Sequence, residues 1–262
     1  MGILEEILEY KKRELFSIKG KRGRIHALKE RLDTLPPARD FAGALKGKGV
    51  NIIAEVKKYS PSKGVLRENF DPVKIAKVYE RNGACAISVL TDKKYFMGSL
   101  EYLSMVKEGV GVPVLRKDFI IDPYQVYESR LAGADAILLI AAALSKAVLK
   151  KLLKICESLG MCPLVEVRSE EELKEVVLTG AEVIGINNRD LNTFRVDIGT
   201  TIRLAKKIPG GRIIVSESGI TSSSDIHALM EEGVDAFLVG EALLREEDIA
   251  GKMRELLGGP GR

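Results

Sequence analysis

One phrase recurs four times in this chain and counts its strands. Asn82-Gly83-Ala84-Cys85-Ala86 runs into Ile87-Ser88-Val89-Leu90, and Ala132-Gly133-Ala134-Asp135-Ala136 into Ile137-Leu138-Leu139-Ile140. Thr179-Gly180-Ala181-Glu182-Val183 runs into Ile184-Gly185-Ile186-Asn187, and Glu232-Gly233-Val234-Asp235-Ala236 into Phe237-Leu238-Val239-Gly240. Each time a helical pattern stops at Gly, which suits the left-handed residue that closes a helix, and an apolar run follows. The phrase returns about every 50 residues, twice the length of a ~25-residue βα unit.

The intervals hold four more short apolar runs, and each ends in charge: Ile52-Ile53-Ala54-Glu55-Val56-Lys57, Val114-Leu115-Arg116-Lys117-Asp118, Leu164-Val165-Glu166-Val167 and Ile213-Ile214-Val215-Ser216-Glu217-Ser218. Interleaved, the two sets predict eight strands near residues 50, 85, 113, 135, 162, 183, 212 and 235. Amphipathic segments separate them. Asp71-Pro72 and Asp122-Pro123 read as N-caps with Pro at the first helical position, and Ser169-Glu170-Glu171-Glu172 as a capping box. Ser145, Asp197 or Thr200, and Ser222 to Ser224 are further helix starts. This alternation implies parallel strands, and at 262 residues it predicts an α/β fold, a closed TIM (βα)8 barrel. A doubly wound open sheet is the alternative. It would normally show a GxGxxG turn after the first strand, where this chain has Lys58-Tyr59-Ser60-Pro61-Ser62-Lys63-Gly64.

Residues 1–48 fall outside the repeat and form an N-terminal helical extension to a barrel spanning 49–257, the whole chain being one domain. Ile3, Leu4, Ile7, Leu8, Leu15 and Phe16 give the first helix one apolar face, and Arg24 to Leu35 predicts a second, ended by Pro36-Pro37. Such a helix either plugs the bottom of a barrel or lies beside its mouth. Composition alone favours the plug.

Lys and Arg total 41 against 37 Asp and Glu, a net charge of +4, which suits a small anionic substrate and not a nucleic-acid coat. Cys85, Cys156 and Cys162 show no CxxC spacing and read as buried and reduced. His26 and His227 lie in helical patterns far from the strand ends, so no zinc-type ligand set can be assembled. From the charged start and the lack of an apolar run of ~18 residues, neither a signal peptide nor a membrane span is expected. The expectation is a cytoplasmic monomer with no metal, no cofactor and no membrane partner.

Strand ends are where barrels place their chemistry. Glu55 and Lys57 share a face of the first strand, and the barrel interior is the better home for both, since an outward pair would be buried under a helix. With Lys117 and Glu166 they put two carboxylates and two amines at one mouth, which suits acid–base work. A structural salt-bridge layer is the alternative. Ser216-Glu217-Ser218-Gly219-Ile220 and Leu238-Val239-Gly240-Glu241-Ala242 bring Gly to the ends of the seventh and eighth strands, where barrels offer backbone N–H groups to a phosphate, and Ser60 could add a hydroxyl. Asn187, Asn188, Arg189 and Asp190 suit a hydroxyl or carboxylate ligand, although Asn188 and Asp190 could equally tie two loops together. Phe96 could cover a ring or anchor its own loop.

At these residues the chain resembles the indole-3-glycerol-phosphate synthase family. The resemblance rests on Ile53-Ala54-Glu55-Val56-Lys57-Lys58-Tyr59-Ser60-Pro61-Ser62, Leu90-Thr91-Asp92 with Lys94-Tyr95-Phe96, Leu115-Arg116-Lys117-Asp118-Phe119, Gly185-Ile186-Asn187-Asn188-Arg189-Asp190-Leu191 and Glu217-Ser218-Gly219-Ile220. It implies ring closure, decarboxylation and dehydration of 1-(2-carboxyphenylamino)-1-deoxyribulose 5-phosphate. By resemblance, Lys117 is the general acid, Lys57 meets the substrate carboxylate and takes part in dehydration, and Glu55 and Glu166 orient the lysines and handle protons. Asn187 and Ser218 match contacts to substrate hydroxyls, and Arg189 a position near the carboxylate. Ser60, Gly219, Gly240 and the amide of Glu241 match a phosphate site, and Phe96, Leu90, Leu138 and Leu191 an aromatic pocket. Tyr59 and Glu241 depart from the family pattern. An acid beside a phosphate is unfavourable, so the Glu241 side chain is expected to point away. The resemblance also favours a lid over a plug for the N-terminal helix. An inactive phosphate-binding scaffold and a sugar-phosphate isomerase barrel are the alternatives.

Overall fold

Gly83, Gly133, Gly180 and Gly233 have φ between +83° and +94°, the left-handed region that side chains resist. Each turns a helix end into the strand behind it. The computed structural model describes residues 2–18, 21–32, 34–190 and 193–259. Its barrel strands are β1 (Asn51–Val56), β2 (Ala86–Leu90), β3 (Val114–Lys117), β4 (Ala136–Ile140), β5 (Cys162–Val167), β6 (Val183–Asn187), β7 (Ile213–Glu217) and β8 (Ala236–Val239). Every neighbouring pair is parallel, and β1 bonds both β2 and β8, so the sheet closes into a barrel of eight strands.

The helices run α1 (Ile3–Ser17), α2 (Lys21–Leu32), α3 (Phe41–Ala44), α4 (Pro72–Arg81), α5 (Lys93–Phe96), α6 (Leu100–Gly109), α7 (Pro123–Leu131), α8 (Lys146–Ser158), α9 (Glu170–Val177), α10 (Gly199–Ala205), α11 (Ser223–Glu231), α12 (Glu241–Leu244) and α13 (Ile249–Leu256). Asp71, Asp122, Ser145 and Ser222 cap their helices as the sequence predicts, each accepting from an N–H of the first turn. Ser169 accepts from Glu172, but the Glu172 carboxylate turns back to the N–H of Arg168, so the expected reciprocal box is displaced by one residue. No side chain caps α10 at its Ile198 N-cap, although Asp197 accepts from the Gly199 N–H.

Strand alternation sorts the core into two bodies. Ile52, Ala54 and Val56 pack outward with Ile87, Val89 and the apolar faces of α4 and α13. Ile53, Leu115, Leu138, Leu164, Val215 and Leu238 fill the axis. Both faces of each strand are covered, as in parallel sheets generally.

The N-terminal segment does two jobs. Residues 39–47 cross the bottom, where the strands begin. Phe41 and Leu45 are buried among Ile53, Ala86, Ala136 and Ile213; the Asn51 amide donates to the carbonyls of Leu45 and Gly47; and the Arg39 N–H donates to Asp135. Helix α1 lies at the opposite end, with Lys11 against Asp92 and Asp118 behind β2 and β3. The bottom and the mouth of the barrel are therefore covered by different pieces of one extension. A small hairpin, Tyr59–Ser60 with Gly64–Val65, follows β1, built on the Ser60-Pro61-Ser62-Lys63-Gly64 turn.

Cys156 is buried, whereas Cys85 and Cys162 are half-buried, a correction to the expectation that all three are enclosed; the three are free thiols. Burial pushes each thiol up to about 12, so none is a ready nucleophile. Among the described residues no helix is long and apolar enough to cross a membrane, and no cluster of His, Cys, Asp and Glu could hold a metal ion.

Candidate active site

The parity that buries Ile53 also turns Glu55 to the axis, and the register of the closed sheet brings equivalent positions together above it. Glu55 on β1, Lys117 on β3, Glu166 on β5 and Glu217 on β7 come from alternate strands, the way barrels build their inner layers. Lys117 Nζ donates to Glu217 Oε2 at 2.7 Å and to Glu166 Oε2 at 3.3 Å. Lys57, two residues beyond Glu55, donates to Glu55 Oε1. All four predicted catalytic residues therefore meet in one place, and Glu217, absent from the predicted catalytic set, meets them there. Its signal was local: a Glu closing an apolar run, much as Glu166 stands one residue before the end of its own strand. Two glycines make the room. A Cβ on Gly185 would come within 2.2 Å of Glu217 Oε1, and one on Gly240 within 2.4 Å of Glu55 Oε1.

Three carboxylates face two lysines in this layer, and the imbalance sets their proton affinities. Burial raises the Glu217 carboxyl to about 7; Lys117 opposes this, while Glu166 and Glu55 reinforce it. Burial works against the Lys117 charge, but Glu217, Glu166 and Glu55 outweigh it, so the ammonium stays protonated well above the usual lysine range. Burial also opposes ionisation of Glu55, yet Lys57 and Lys117 hold it below the usual carboxylate range. The result is an acid fixed in its charged form beside a carboxyl poised to gain or lose a proton near neutrality.

These groups floor a cavity of about 850 Å³. One wall is apolar: Leu90, Phe96, Phe119, Leu138 and Ile140, with Ile3 and Ile7 from α1 above them. The Phe96 and Phe119 rings lie 6.1 Å apart. The opposite wall is polar, with Ser60, Ser62, Ser218, Gly219, Gly240 and Glu241. There the chain turns sharply after β7, with Ser218 at φ 67° and Gly219 at φ 80°. A side chain on Gly219 would also meet Val196 Cγ1 at 2.3 Å.

Asn187 is buried in the lining, and its amide oxygen accepts from the Arg189 N–H at 3.0 Å. Asn188 faces away from the cavity, donating to Ser216 and Ser218 and accepting from Thr201. Asp190 pairs with Arg168 at 3.1 Å. These two are the loop tie that the sequence left open. Leu191 lies outside the described residues; the other predicted binding residues all line the cavity.

One expectation is overturned. The Glu241 carboxylate does not point away: it lines the cavity, 3.0 Å from Arg189, 3.7 Å from Lys63 and 3.4 Å from Arg245. The attraction of three cations outweighs any tendency of the acid to leave the polar end.

Comparison with known proteins places the chain in a family. The family model of indole-3-glycerol phosphate synthase matches residues 4–256. The chain is similar to the indole-3-glycerol phosphate synthase of Dehalococcoides mccartyi, 58% identical over 229 residues, covering 86% of this chain and 88% of that one. It is also similar to that of Desulforamulus reducens, 49% identical over 262 residues, covering 99% of this chain and 98% of that one. Among solved structures, 3-hexulose-6-phosphate synthase from Salmonella typhimurium superposes with a TM-score of 0.64 at 15% identity, covering 80% of this chain and 97% of that one. At that identity the likeness concerns the fold alone.

Proposed function

This chain belongs to the indole-3-glycerol phosphate synthase family, and from that premise we propose how its barrel mouth performs the reaction. The activity is that of a carboxy-lyase in tryptophan biosynthesis: 1-(2-carboxyphenylamino)-1-deoxyribulose 5-phosphate becomes indole-3-glycerol phosphate, carbon dioxide and water. The ring carbon that bears the carboxylate attacks the ribulose carbonyl, whose oxygen must gain a proton. Loss of carbon dioxide restores the aromatic ring, and loss of water completes the indole.

Lys117 is the general acid for the first step. Its ammonium lies buried against Glu217 and Glu166, at the floor of a cavity that is apolar on one side and polar on the other, and this observation carries the reading. Once Lys117 has given its proton to the ribulose oxygen, it must be recharged before the next turnover. Glu217, poised at about 7 and 2.7 Å away, suits that role. Lys57 meets the departing carboxylate and takes part in dehydration, with Glu55 and Glu166 steering the two lysines and moving protons. The aromatic ring fits between Leu90, Phe96 and Leu138, with Leu191 nearby in sequence to Asn187 and Arg189, which together with Ser218 take the hydroxyls and carboxylate. The phosphate goes to Ser60, Gly219, Gly240 and the Glu241 amide, where it must compete with the Glu241 carboxylate for Arg189 and Lys63. The substrate is a small anion, and nothing in the reading calls for nucleic acid, a membrane, a metal or a cofactor. We assign the chain to the cytoplasm as a monomer, one domain with an extension over 1–48 and a barrel over 49–257.

The test uses the absence of Trp from the chain. Indole emission that grows on adding the anilino-ribulose phosphate, on a background without protein indole, is the expected result. No new emission from the folded protein overturns the reading.

A further inference from the structure

Lys11 is a lysine almost without access to solvent, 4% exposed, on a helix that otherwise buries only Ile7 and Leu15. Its Nζ lies 2.9 Å from Asp92 Oδ2, 3.0 Å from Asp118 Oδ1 and 3.2 Å from Glu14 Oε2. Asp92 and Asp118 are themselves buried. Each ties a different part of the cavity wall. Asp92 accepts from the Tyr95 N–H at 2.7 Å and so caps α5, the short helix that carries Phe96. Asp118 follows Lys117 directly, accepts from the Phe119 N–H at 2.8 Å, and is bound on its other oxygen by Thr91 and Arg116. Burial alone would raise the Asp118 carboxyl; Arg116 and Lys11 hold it down, to about 2.

One ammonium thus joins three segments that all line the cavity: α1 with Ile3 and Ile7, the β2 exit with Leu90 and Phe96, and the β3 exit with Lys117 and Phe119. Weaker contacts act beside it. Tyr95 Oη donates to Glu6 at 3.0 Å, and Lys94 stands 4.3 Å over the Tyr10 ring. A helix of 15 residues is marginal by itself in water, so α1 owes its place to docking. Two buried apolar side chains allow sliding and rotation. A point charge that must meet two fixed carboxylates does not, because any other setting leaves charge buried without a partner.

We propose that Lys11 is a positioning residue for ring closure: it sets α1 across the mouth in one register and holds the β3 exit that presents Lys117. The proposal rests on the function given above. Lys11 touches no substrate in this scheme and acts through Asp92, Asp118 and α1.

Two variants test it. Lys11→Met leaves Asp92 and Asp118 facing each other, so it is expected to lower stability, raise KM at least tenfold and reduce kcat. Lys11→Met with Asp92→Asn removes the charge that the first substitution strands, since Asp118 keeps Arg116, while keeping an oxygen to cap Tyr95. Stability should then recover towards wild type while KM stays at least tenfold high. If KM and kcat return with stability, or are wild-type in the double variant, Lys11 is only a structural ion pair and the proposal falls. Hydrogen exchange on the same samples reads the joint without substrate. Residues 3–15 should lose protection in both variants while β1 to β8 keep theirs, and unchanged protection of α1 also overturns the proposal. Because exchange needs no turnover, a wrong substrate assignment and a wrong role for Lys11 give different results.

Discussion

Replacing Glu217 by Gln keeps the shape of the side chain and removes both its charge and its titration. In the native barrel this carboxyl holds its proton up to about 7, against an ordinary value of 4.5. Between those values the folded state binds more protons than the unfolded chain, so this group's contribution to stability is complete below 4.5 and is lost as pH rises through 7. At ~1.4 kcal/mol per pH unit, the raised affinity corresponds to roughly 3 kcal/mol. Glu217→Gln does not titrate, so its stability relative to wild type should improve by about that amount between pH 4 and pH 8, on top of a constant cost for weakening the 2.7 Å contact with Lys117. Urea unfolding of both proteins across that range measures the difference. Turnover followed by indole emission should fall by about 10²–10⁴-fold, the usual worth of a positioned proton donor. Parallel stability curves would show that Glu217 has an ordinary proton affinity, and a kcat within threefold of wild type would remove it from the proton path.

Lys117→Met keeps the bulk of the side chain and should cost about 10²–10⁴-fold in kcat while substrate still binds; near-wild-type kcat would mean another acid. Inorganic phosphate should inhibit competitively, and Gly219→Glu, which clashes with Val196 and adds a like charge, should abolish that inhibition in a protein shown to be folded by its melting curve. Glu241→Gln should instead tighten inorganic phosphate several-fold, since it frees Arg189 and Lys63; weaker binding would mean that the carboxylate organises the site rather than competing in it. Deleting residues 1–34 removes α1 but leaves Phe41 and Leu45 under the barrel, so KM should rise with the barrel still folded, whereas Phe41→Ala should cost about 3–5 kcal/mol of stability with KM unchanged. The reverse pattern would exchange the lid and the plug.

Local chemistry made much of this legible in advance. The repeated Gly-Ala or Gly-Val before each even strand, the Asp-Pro helix starts and the charged strand ends are short-range signals, and they locate eight strands, most caps and the residues of the mouth. Parity alone could not say which way Glu55 and Ile53 point, because both faces of a parallel strand are buried and both carry apolar residues; only the cost of burying an outward Glu-x-Lys pair under a helix argued for the interior. Closure of the barrel decided that. Closure also brought Glu217 to Lys117 across 100 residues and left three acids facing two amines, an imbalance that exists only in the assembled layer. Glu241 stays in the cavity because cations from three separate segments converge on it. Lys11 reads as one more basic residue in a charged helix; only docking against Asp92 and Asp118 buries it. Propensity and pattern act over a few residues and determined the elements, whereas desolvation and Coulomb interactions act between elements and take their values from the packed structure.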